Sequence, residues 1–494
     1  QYEEMEGTTY WKNVHVISIF TFVDSLQFSF YMWSFWPYLQ KIDPTLGTTF
    51  VGIIMAISGV GEALAAPVFG YWSNKVGRIL PPVYLSIGMS ALGNVLYLLL
   101  GSISVPLIPY AIIISRFMSG AGSGNRGCFR ALVAYNSMGR DRARALASSG
   151  GAALVGLTIG PAVQLGFNWM GPDGFDFGLM NISQYTAPAI LALIINIATV
   201  PYVHFYLDDE LEPKSEHKVV PTITSRANII KMDYCENDDM ETIVPPPPKI
   251  VLRMDLLAVI ICMGTRAIRM LATSNVESIG APFTEIMFNF TNADALQMNT
   301  YTQTIVGGLT IANFLIYAFT NYTKWVSERS NCMIAIVGLL AFYSVTMPWP
   351  FLPGNVDCTR FIGNGTHNWE WCEMLPPLNL WLYYSAYALI YGIAIPMLNN
   401  SLQALYSRVL GNGPQGTMQG VNQAVGSIAR ILGPLIMSST FSHWGPQATW
   451  AINIALLLLT VATWIVAYRR LVPVELRKPK KDLDTISTVT ETSA

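Results

Sequence analysis

The most regular feature of the chain is a series of apolar segments, each about as long as a helix that crosses a bilayer. Short polar connections separate most of them. The segments cover residues 14–36, 49–70, 82–101, 107–129, 145–166, 185–206, 254–278, 302–320, 331–348, 378–398, 416–440 and 448–468. A helix satisfies its backbone hydrogen bonds internally, which lipid requires. We therefore predict an all-α membrane protein with twelve transmembrane helices.

One long polar stretch divides the twelve segments into two sets of six. Residues 207–250 carry several acidic side chains and the run Pro245–Pro248, a composition typical of a linker. We predict a first six-helix half over residues 1–206, a cytosolic linker over 207–250 and a second six-helix half over 251–468. Residues 469–494 are basic and then rich in Ser and Thr, which predicts a disordered cytosolic tail.

A glycine-proline pattern recurs in the two halves. On the fifth segment, Gly156–Pro161 is followed by Trp169, and on the eleventh segment Gly433–Pro434 is followed by Trp444. The matching positions are separated by about 275 residues, which indicates an internal repeat. Two pseudo-symmetric halves are typical of secondary transporters, whose solute site lies between the repeats.

Composition excludes several other classes of protein. Of the 494 residues, 52% are hydrophobic and only 12% are charged, about half the charge of a soluble domain. This excludes a disordered chain, a basic nucleic-acid-binding protein and a disulfide-rich miniprotein. The net charge of -2 adds little, because the placement of charges along a membrane protein carries the information.

Basic residues predict the orientation. Of the 29 Lys and Arg residues, 21 fall on the side that holds both termini, six lie within helices, and only Lys41 and Arg360 fall on the other side. Both termini are therefore predicted to be cytosolic. The glycosylation sequons at Asn181, Asn289 and Asn364 fall on the opposite side, where glycosylation occurs.

Cysteine and histidine placement gives little sign of other chemistry. Cys358 and Cys372 share the connection between the ninth and tenth segments, where they form either a disulfide or two free thiols. The histidines lack the spacing of metal ligands, and no catalytic Ser/His/Asp or Cys/His arrangement is recognisable. We expect no cofactor, no metal and no enzymatic activity.

A loop motif follows the second segment. Its positions fit the pattern G-x-x-x-[D/N]-[R/K]-x-G-R and are Gly70, Asn74, Lys75, Gly77 and Arg78. Glycines allow close helix approach and a positive φ, while the polar side chains can cap helices or bond across to neighbours. The motif resembles the loop signature of the major facilitator superfamily.

Two further motifs support the same resemblance. Arg116 and Gly120 on the fourth segment are similar to the second signature of the superfamily, and Gly156 to Gly160 and Pro161 on the fifth are similar to the third. The resemblance implies a transporter that moves a small solute by alternating access through a cavity between two halves. We expect a lipid bilayer as the partner; the oligomeric state is unknown, with a monomer as the default.

Other segments resemble a lysosomal branch of this superfamily. They are Trp36–Thr45, Pro67–Gly70, Trp72–Asn74, Trp371–Cys372, Pro414–Gly416, Ala429–Pro434 and His443–Pro446. This resemblance implies an endolysosomal membrane protein, with anion (chloride) permeation among the activities of the group. Residues 1–11 hold no acidic dileucine sorting signal, so the plasma membrane remains the alternative location.

Charged residues within the apolar segments are the candidates for function, because charge in a membrane costs several kcal/mol. Arg430 shares a helix face with Gln423. The ionisable candidates are Asp24, Glu62, Arg116, Arg126, Arg130, Arg266, Arg269, Glu277 and Arg430. Cations outnumber anions, which favours an anionic solute.

Structural roles are the alternative. Arg126 and Arg130 lie near the cytosolic end, where they can snorkel to water, and Arg266 or Arg269 can pair with Glu277. Asp24 and Glu62 are either proton-coupling carboxylates or hydrogen-bonded structural groups.

Three functions stay open at this point. The first is a transporter of a small anionic solute, either proton-coupled or not. The second is an anion channel on the same fold, and the third is a membrane sensor or scaffold that transports nothing.

Overall fold

The structure is a computed structural model. It describes residues 9–43, 48–138, 141–171, 174–176, 181–208, 255–290, 292–320, 322–356, 371, 374–411 and 415–472. Most of the predicted linker and tail, the predicted disulfide pair Cys358 and Cys372, and the sequon at Asn364 lie outside these residues.

The described residues before the linker form helices α1 to α7, which we call the first half. Their bounds are α1 Trp11–Ile42, α2 Thr48–Val76, α3 Leu80–Leu98, α4 Ile108–Gly122, α5 Arg126–Tyr135, α6 Arg142–Leu165 and α7 Ala187–Tyr206. A 3₁₀ turn, Ser123–Asn125, joins α4 to α5 within one predicted segment. Two short antiparallel strands, β1 Phe175–Asp176 and β2 Asn181–Ile182, lie between α6 and α7.

The described residues after the linker form the second half. Its helices are α8 Leu256–Phe288, α9 Asn292–Phe319, α10 Tyr322–Trp325, α11 Glu328–Val345, α12 Leu380–Ala386, α13 Gly392–Leu410 and α14 Gly416–Ala467. A π-helical turn, Tyr387–Tyr391, joins α12 to α13. Helix α14 covers two predicted segments and breaks at Gly445, whose φ of 76° is left-handed. A side chain at Gly445 would also collide with the ring of Trp371.

Membrane spans can be assessed by helix length and hydropathy. Seven helical segments of the described chain are long and apolar enough to cross a bilayer. They are Ile53–Val76, Leu80–Ser102, Val105–Tyr135, Ala187–Tyr206, Leu256–Gly280, Leu380–Leu410 and Gly416–Ala467. Helices α1, α6, α9 and α11 also coincide with predicted segments. The count of twelve therefore stays a prediction.

Glycines set the packing of α1 on α6. A side chain at Gly156 would meet the carbonyl of Phe22, and one at Gly160 would meet the hydroxyl of Ser29. Pro161 continues α6 directly after this contact. The glycine motif of the fifth segment thus lies where two helix backbones approach each other most closely.

Several helix pairs join the two halves, and two of them show how the halves meet. Helix α2 packs along α14, and α6 packs against α9. A side chain at Gly59 would collide with Ile431, and one at Gly420 would collide with the Ala66 carbonyl. At the second pair, Phe314 lies against the backbone of Gly151. The contacts extend toward the end of the bundle that holds Gly77 and Arg78; we call it the motif end, the side predicted to be cytosolic.

We expect Gly120→Ala to lower the melting temperature of the purified protein in detergent by several degrees. The new methyl group would collide with the Ser58 carbonyl, where α4 crosses α2, and such overpacking costs about 1–3 kcal/mol. Gly88→Ala on α3 is the matched control, because nothing lies within 4 Å of its Cβ position. Equal melting temperatures for the two variants would contradict this packing.

Candidate functional site

Several of the predicted charged residues lie at one depth in the bundle. Asp24 is 13 residues from the first residue of α1, Arg430 is 14 from the first residue of α14, and Glu62 is 14 from the last residue of α2. All three of those helix ends belong to the motif end. At 1.5 Å per residue this depth is about 20 Å, inside a hydrocarbon core about 30 Å thick.

Arg126 links the two carboxylates of the first half. Its Nε and Nη2 atoms both lie 3.0 Å from Asp24 Oδ2. Its Nη1 atom donates to Glu62 Oε1 over 3.4 Å. Arg126 therefore bonds inward, unlike the alternative in which it snorkels to water. The two buried carboxylates supply the counter-charge that water would otherwise supply.

Gln423 connects the halves. Its Nε2 atom donates to Glu62 Oε1 over 2.6 Å. Its Oε1 atom accepts from Arg266 Nη2 over 2.7 Å and also from Arg130 Nη1. Arg130 therefore also bonds inward instead of snorkelling. Gln423 is buried on α14. Its one amide bonds to α2 and α5 of the first half and to α8 of the second, and so bridges the halves.

Arg430 completes the set, with its Nη1 atom 3.7 Å from Glu62 Oε2. We call the seven connected residues the central network. They are Asp24, Glu62, Arg126, Arg130, Arg266, Gln423 and Arg430.

The central network holds more positive than negative charge. Four guanidinium groups face two carboxylates, and both carboxylates already contact Arg126. In the described part of the chain, no carboxylate lies at salt-bridge distance from Arg130 or Arg266. These two cations share a neutral amide oxygen instead. A buried cation in this position is electrostatically suited to a negative ligand.

Arg266 and Arg269 also line a small space beside the central network. The rest of its lining mixes the amides of Asn399, Gln403 and Asn422 with Cys262, Leu402 and Tyr406. Both arginines are more than nine-tenths buried. The Nη2 atom of Arg269 lies 3.6 Å from the sulfur of Met270.

Glu277 lies apart from these arginines. Among the described residues neither Arg266 nor Arg269 lies within salt-bridge distance of it, although Arg269 and Glu277 still attract each other at longer range. Eight residues separate Arg269 from Glu277 on α8, about 12 Å along the axis. The Glu277 side chain is exposed instead.

Arg116 faces a cavity in the first half. The cavity has a volume of about 750 Å³, and its lining includes Asp24, Ser119 and Arg126. The Arg116 guanidinium lies 4.8 Å from the ring centre of Tyr97, a cation-π contact. Arg130 lies beyond the Ser123–Asn125 turn and points to Gln423 instead.

Arg430 is the most exposed charged residue among the ion pairs of the central network. Its side chain is 43% exposed although it lies about 20 Å from the motif end. Arginine in contact with lipid at this depth would be very costly. We infer that its exposed part faces an aqueous space between the halves.

The loop motif fastens the motif end. Asn74 Oδ1 accepts from the Gly416 backbone over 3.0 Å, and Asn74 Nδ2 donates to Thr417 Oγ1 over 2.8 Å. A side chain at Gly70 would collide with the Gly416 carbonyl, and Gly77 has a φ of 70°. The other two motif side chains, Lys75 and Arg78, are exposed. The motif thus joins α2 to the start of α14.

The described sequons lie at the opposite end of the bundle. Asn181 is in β2, and Asn289 is an exposed left-handed residue that ends α8. Within the described ranges, no group of His, Cys, Asp and Glu is arranged to hold a metal ion.

Comparison with known proteins decides the family. Residues 17–434 match the family model described as Major Facilitator Superfamily. The chain belongs to the major facilitator superfamily. Its curated relatives include major facilitator superfamily domain-containing protein 8 from Xenopus laevis. That protein is 26% identical over 499 residues, covering 94% of this chain and 93% of the relative. The resemblance inferred from the motifs is therefore confirmed.

Solved structures of other major facilitators share the fold. The human organic anion transporter MFSD10 (TETRAN) matches with a TM-score of 0.62 and 17% identity, over 92% of this chain and 99% of that one. A bacterial homologue of the iron transporter ferroportin, in an outward-facing state, matches with a TM-score of 0.64 and 10% identity, over 93% of this chain and 99% of that one. The proton:xylose symporter XylE matches with a TM-score of 0.65 and 12% identity, over 94% of this chain and 96% of that one. The major facilitator fold predicted for this chain is thereby confirmed.

We expect Gln423→Leu to lower the melting temperature clearly, since it leaves Arg130, Arg266 and Glu62 without their shared amide. An unsatisfied buried polar group costs about 1–3 kcal/mol, and more when charged. Gln423→Glu keeps an acceptor for the two arginines but sets a second carboxylate against Glu62, so its melting temperature should lie between those of Gln423→Leu and the wild type. Gln297→Leu, at an exposed amide on α9, controls for the change of side chain. The bridge would be refuted if Gln423→Leu melted like Gln297→Leu.

Proposed function

We propose that this major facilitator carries a small anionic solute across an endolysosomal membrane by alternating access. One observation carries the proposal: guanidinium groups from both halves, those of Arg130 and Arg266, converge on a single neutral oxygen of Gln423. A solute carboxylate or phosphate offers more negative acceptors in the same position. Bidentate pairing with such groups is the strongest hydrogen bonding available to arginine.

The position of these arginines fits a solute site. Arg130 belongs to the first half and Arg266 to the second, so an anion held between them would contact both moving bodies. Neighbouring Arg430 reaches the aqueous space through which a solute would enter. A site at this depth between two repeats is where secondary transporters bind their solutes.

The closed motif end supports a carrier over a channel. Glycine contacts between α2 and α14, and the bonds of Asn74 to Gly416 and Thr417, bring the two halves together there. A solute bound at the central network could leave toward this end only after the halves separate. Such separation is the step that defines alternating access, whereas a channel needs a continuous path.

A protein with the same fold transports organic anions, which supports the proposal. MFSD10, which shares the fold, is an organic anion transporter. The endolysosomal location in this proposal comes from the motifs that resemble a lysosomal branch of the superfamily. Major facilitator superfamily domain-containing protein 8 also matches nearly the whole chain. The predicted orientation then places the motif end in the cytosol.

For the anion site, we expect Arg266→Gln and Arg130→Gln each to reduce anion flux into proteoliposomes by about tenfold or more. Losing a buried hydrogen bond to a charged group costs about 1.5–3 kcal/mol. The probes are radiolabelled organic mono- and dicarboxylates, inorganic phosphate and chloride. Arg470→Gln, at an exposed position near the end of α14, is the control and should keep its flux. Unchanged flux of every transported anion in both network variants would remove the proposal.

We further propose that Glu62 couples transport to protons. Glu62 is the carboxylate that touches both halves, through Arg126 on one side and Gln423 and Arg430 on the other. Protonation removes its charge and weakens these three contacts together. The acidic lumen of a lysosome would then favour separation of α2 from α14. Within the described ranges, the ion pair of Asp24 is with Arg126, and Asp24 plays the lesser part.

Glu62→Gln should therefore transport anions down their gradient but lose the acceleration that an imposed pH gradient gives the wild-type protein. The neutral amide imitates the protonated carboxyl at every pH. Flux in proteoliposomes with and without a pH gradient is the measurement. Asp24→Asn is the comparison and should keep most of the pH response. A Glu62→Gln variant with the full wild-type response would exclude this residue from coupling.

A further inference from the structure

A crevice opens between the two halves at the motif end, beside the contact of α6 with α9. It has a volume of about 610 Å³ and is separate from the central network. The first half contributes side chains from the starts of α1 and α6, and the second half contributes one from the end of α9. The lining residues are Trp11, His15, Arg144, Ser148 and Phe319.

The outer part of the crevice is polar and aromatic. The Arg144 guanidinium lies 4.9 Å from the ring centre of Trp11, and the rings of Trp11 and His15 are 6.1 Å apart. Arg144 and His15 are exposed. Asp141, one turn before Arg144, accepts a hydrogen bond from Thr9 over 2.9 Å. Tryptophan stacked with arginine at a helix end is typical of the membrane-water interface.

The walls of the crevice continue as apolar faces toward the middle of the bundle. Ile19 follows His15 by one turn of α1 and is 51% exposed. Leu315 precedes Phe319 by one turn of α9 and is 50% exposed. Residues four apart lie on one helix face, so each wall changes from polar or aromatic to aliphatic within about 6 Å.

A cation at the interface with an aliphatic path below it has the pattern of a phospholipid. We propose that the crevice binds an anionic phospholipid of the motif-side leaflet, with its phosphate on Arg144 and an acyl chain along Ile19 and Leu315. Arginine matches phosphate in geometry and charge. A soluble phosphate would use only the outer part and leave the aliphatic walls uncovered.

The position of the crevice gives the lipid a role. Phe319 moves with the second half, while Trp11 and Arg144 move with the first. A lipid that touches all three stabilises the arrangement in which α6 packs on α9, where Phe314 lies against Gly151. The lipid therefore favours the state that is closed at the motif end.

Native mass spectrometry of the full chain in detergent, titrated with dioleoyl phosphatidylserine or dioleoyl phosphatidylcholine, tests the site. We expect the serine lipid to bind more tightly. Arg144→Gln should raise its Kd by about fivefold or more, the loss of one charge-assisted contact. Arg329→Gln is the matched control, because this arginine also stacks on a ring, that of Tyr468, outside the crevice. Its Kd should not change.

Phe319→Ala provides a second variant that should fold, since the side chain is 77% exposed. It should weaken binding of the serine lipid by removing one apolar wall. Equal Kd values for the two lipids, or wild-type binding by both Arg144→Gln and Phe319→Ala, would overturn the proposal. Displacement of the lipid by millimolar inorganic phosphate would also overturn it and assign the crevice to a soluble anion. None of these lipid-binding outcomes requires a measurement of transport.

Discussion

Burial of arginine is the constraint on which this structure depends. Each guanidinium removed from water needs negative or polar partners, and the bundle supplies few. Glu62 and Gln423 meet most of this demand, because one carboxylate and one amide contact Arg126, Arg130, Arg266 and Arg430 between them. Since α2 carries the carboxylate and α14 the amide, satisfying the arginines also holds the halves together. Stability and state of closure therefore rest on the same few hydrogen bonds.

Two different kinds of contact join α2 to α14. Near the motif end the contact is steric, because Gly70, Gly416 and Gly420 let the backbones approach. Deeper in the membrane it is polar and passes through Glu62 and Gln423. Steric contacts of this type are insensitive to pH and to bound ions, whereas the polar contacts respond to both. A transporter can thus regulate its closure at one depth while the close helix packing at another depth guides the halves back together.

Much of the fold could be predicted from the sequence because lipid imposes strict rules. Apolar runs of helix length predicted the helices, and the Gly70 to Arg78 motif indicated the family, which comparison confirmed. The division into two six-helix halves and the orientation stay predictions. The short strands around Phe175 and Ile182 were not predicted, because two-residue strands carry no periodicity. The same scarcity of charge that marks a membrane protein also singled out Asp24, Glu62 and Arg266 as candidates.

The partners of these charges could not be predicted. Position along the helix allowed Arg126 to snorkel, yet the structure places it between two carboxylates. Direct pairing of Arg266 or Arg269 with Glu277 was the alternative for α8, and among the described residues no such pair lies within salt-bridge distance. For Arg126 the missing information was the tilt and rotation of one helix against others, which depends on all their side chains together.

The 3₁₀ turn at Ser123–Asn125 has a geometric consequence for the fourth predicted segment. A 3₁₀ turn advances about 120° per residue instead of 100°, so three residues rotate all that follows by about 60°. Arg116, before the turn, faces the cavity of its own half, and Arg130, after it, reaches Gln423 in the other half. Fourteen residues of uninterrupted α-helix would leave Arg130 about 40° behind Arg116, and the turn moves it to about 20° ahead, so the two stay on nearly one face. They reach different partners because they lie about 20 Å apart along the segment, at two depths of the bundle.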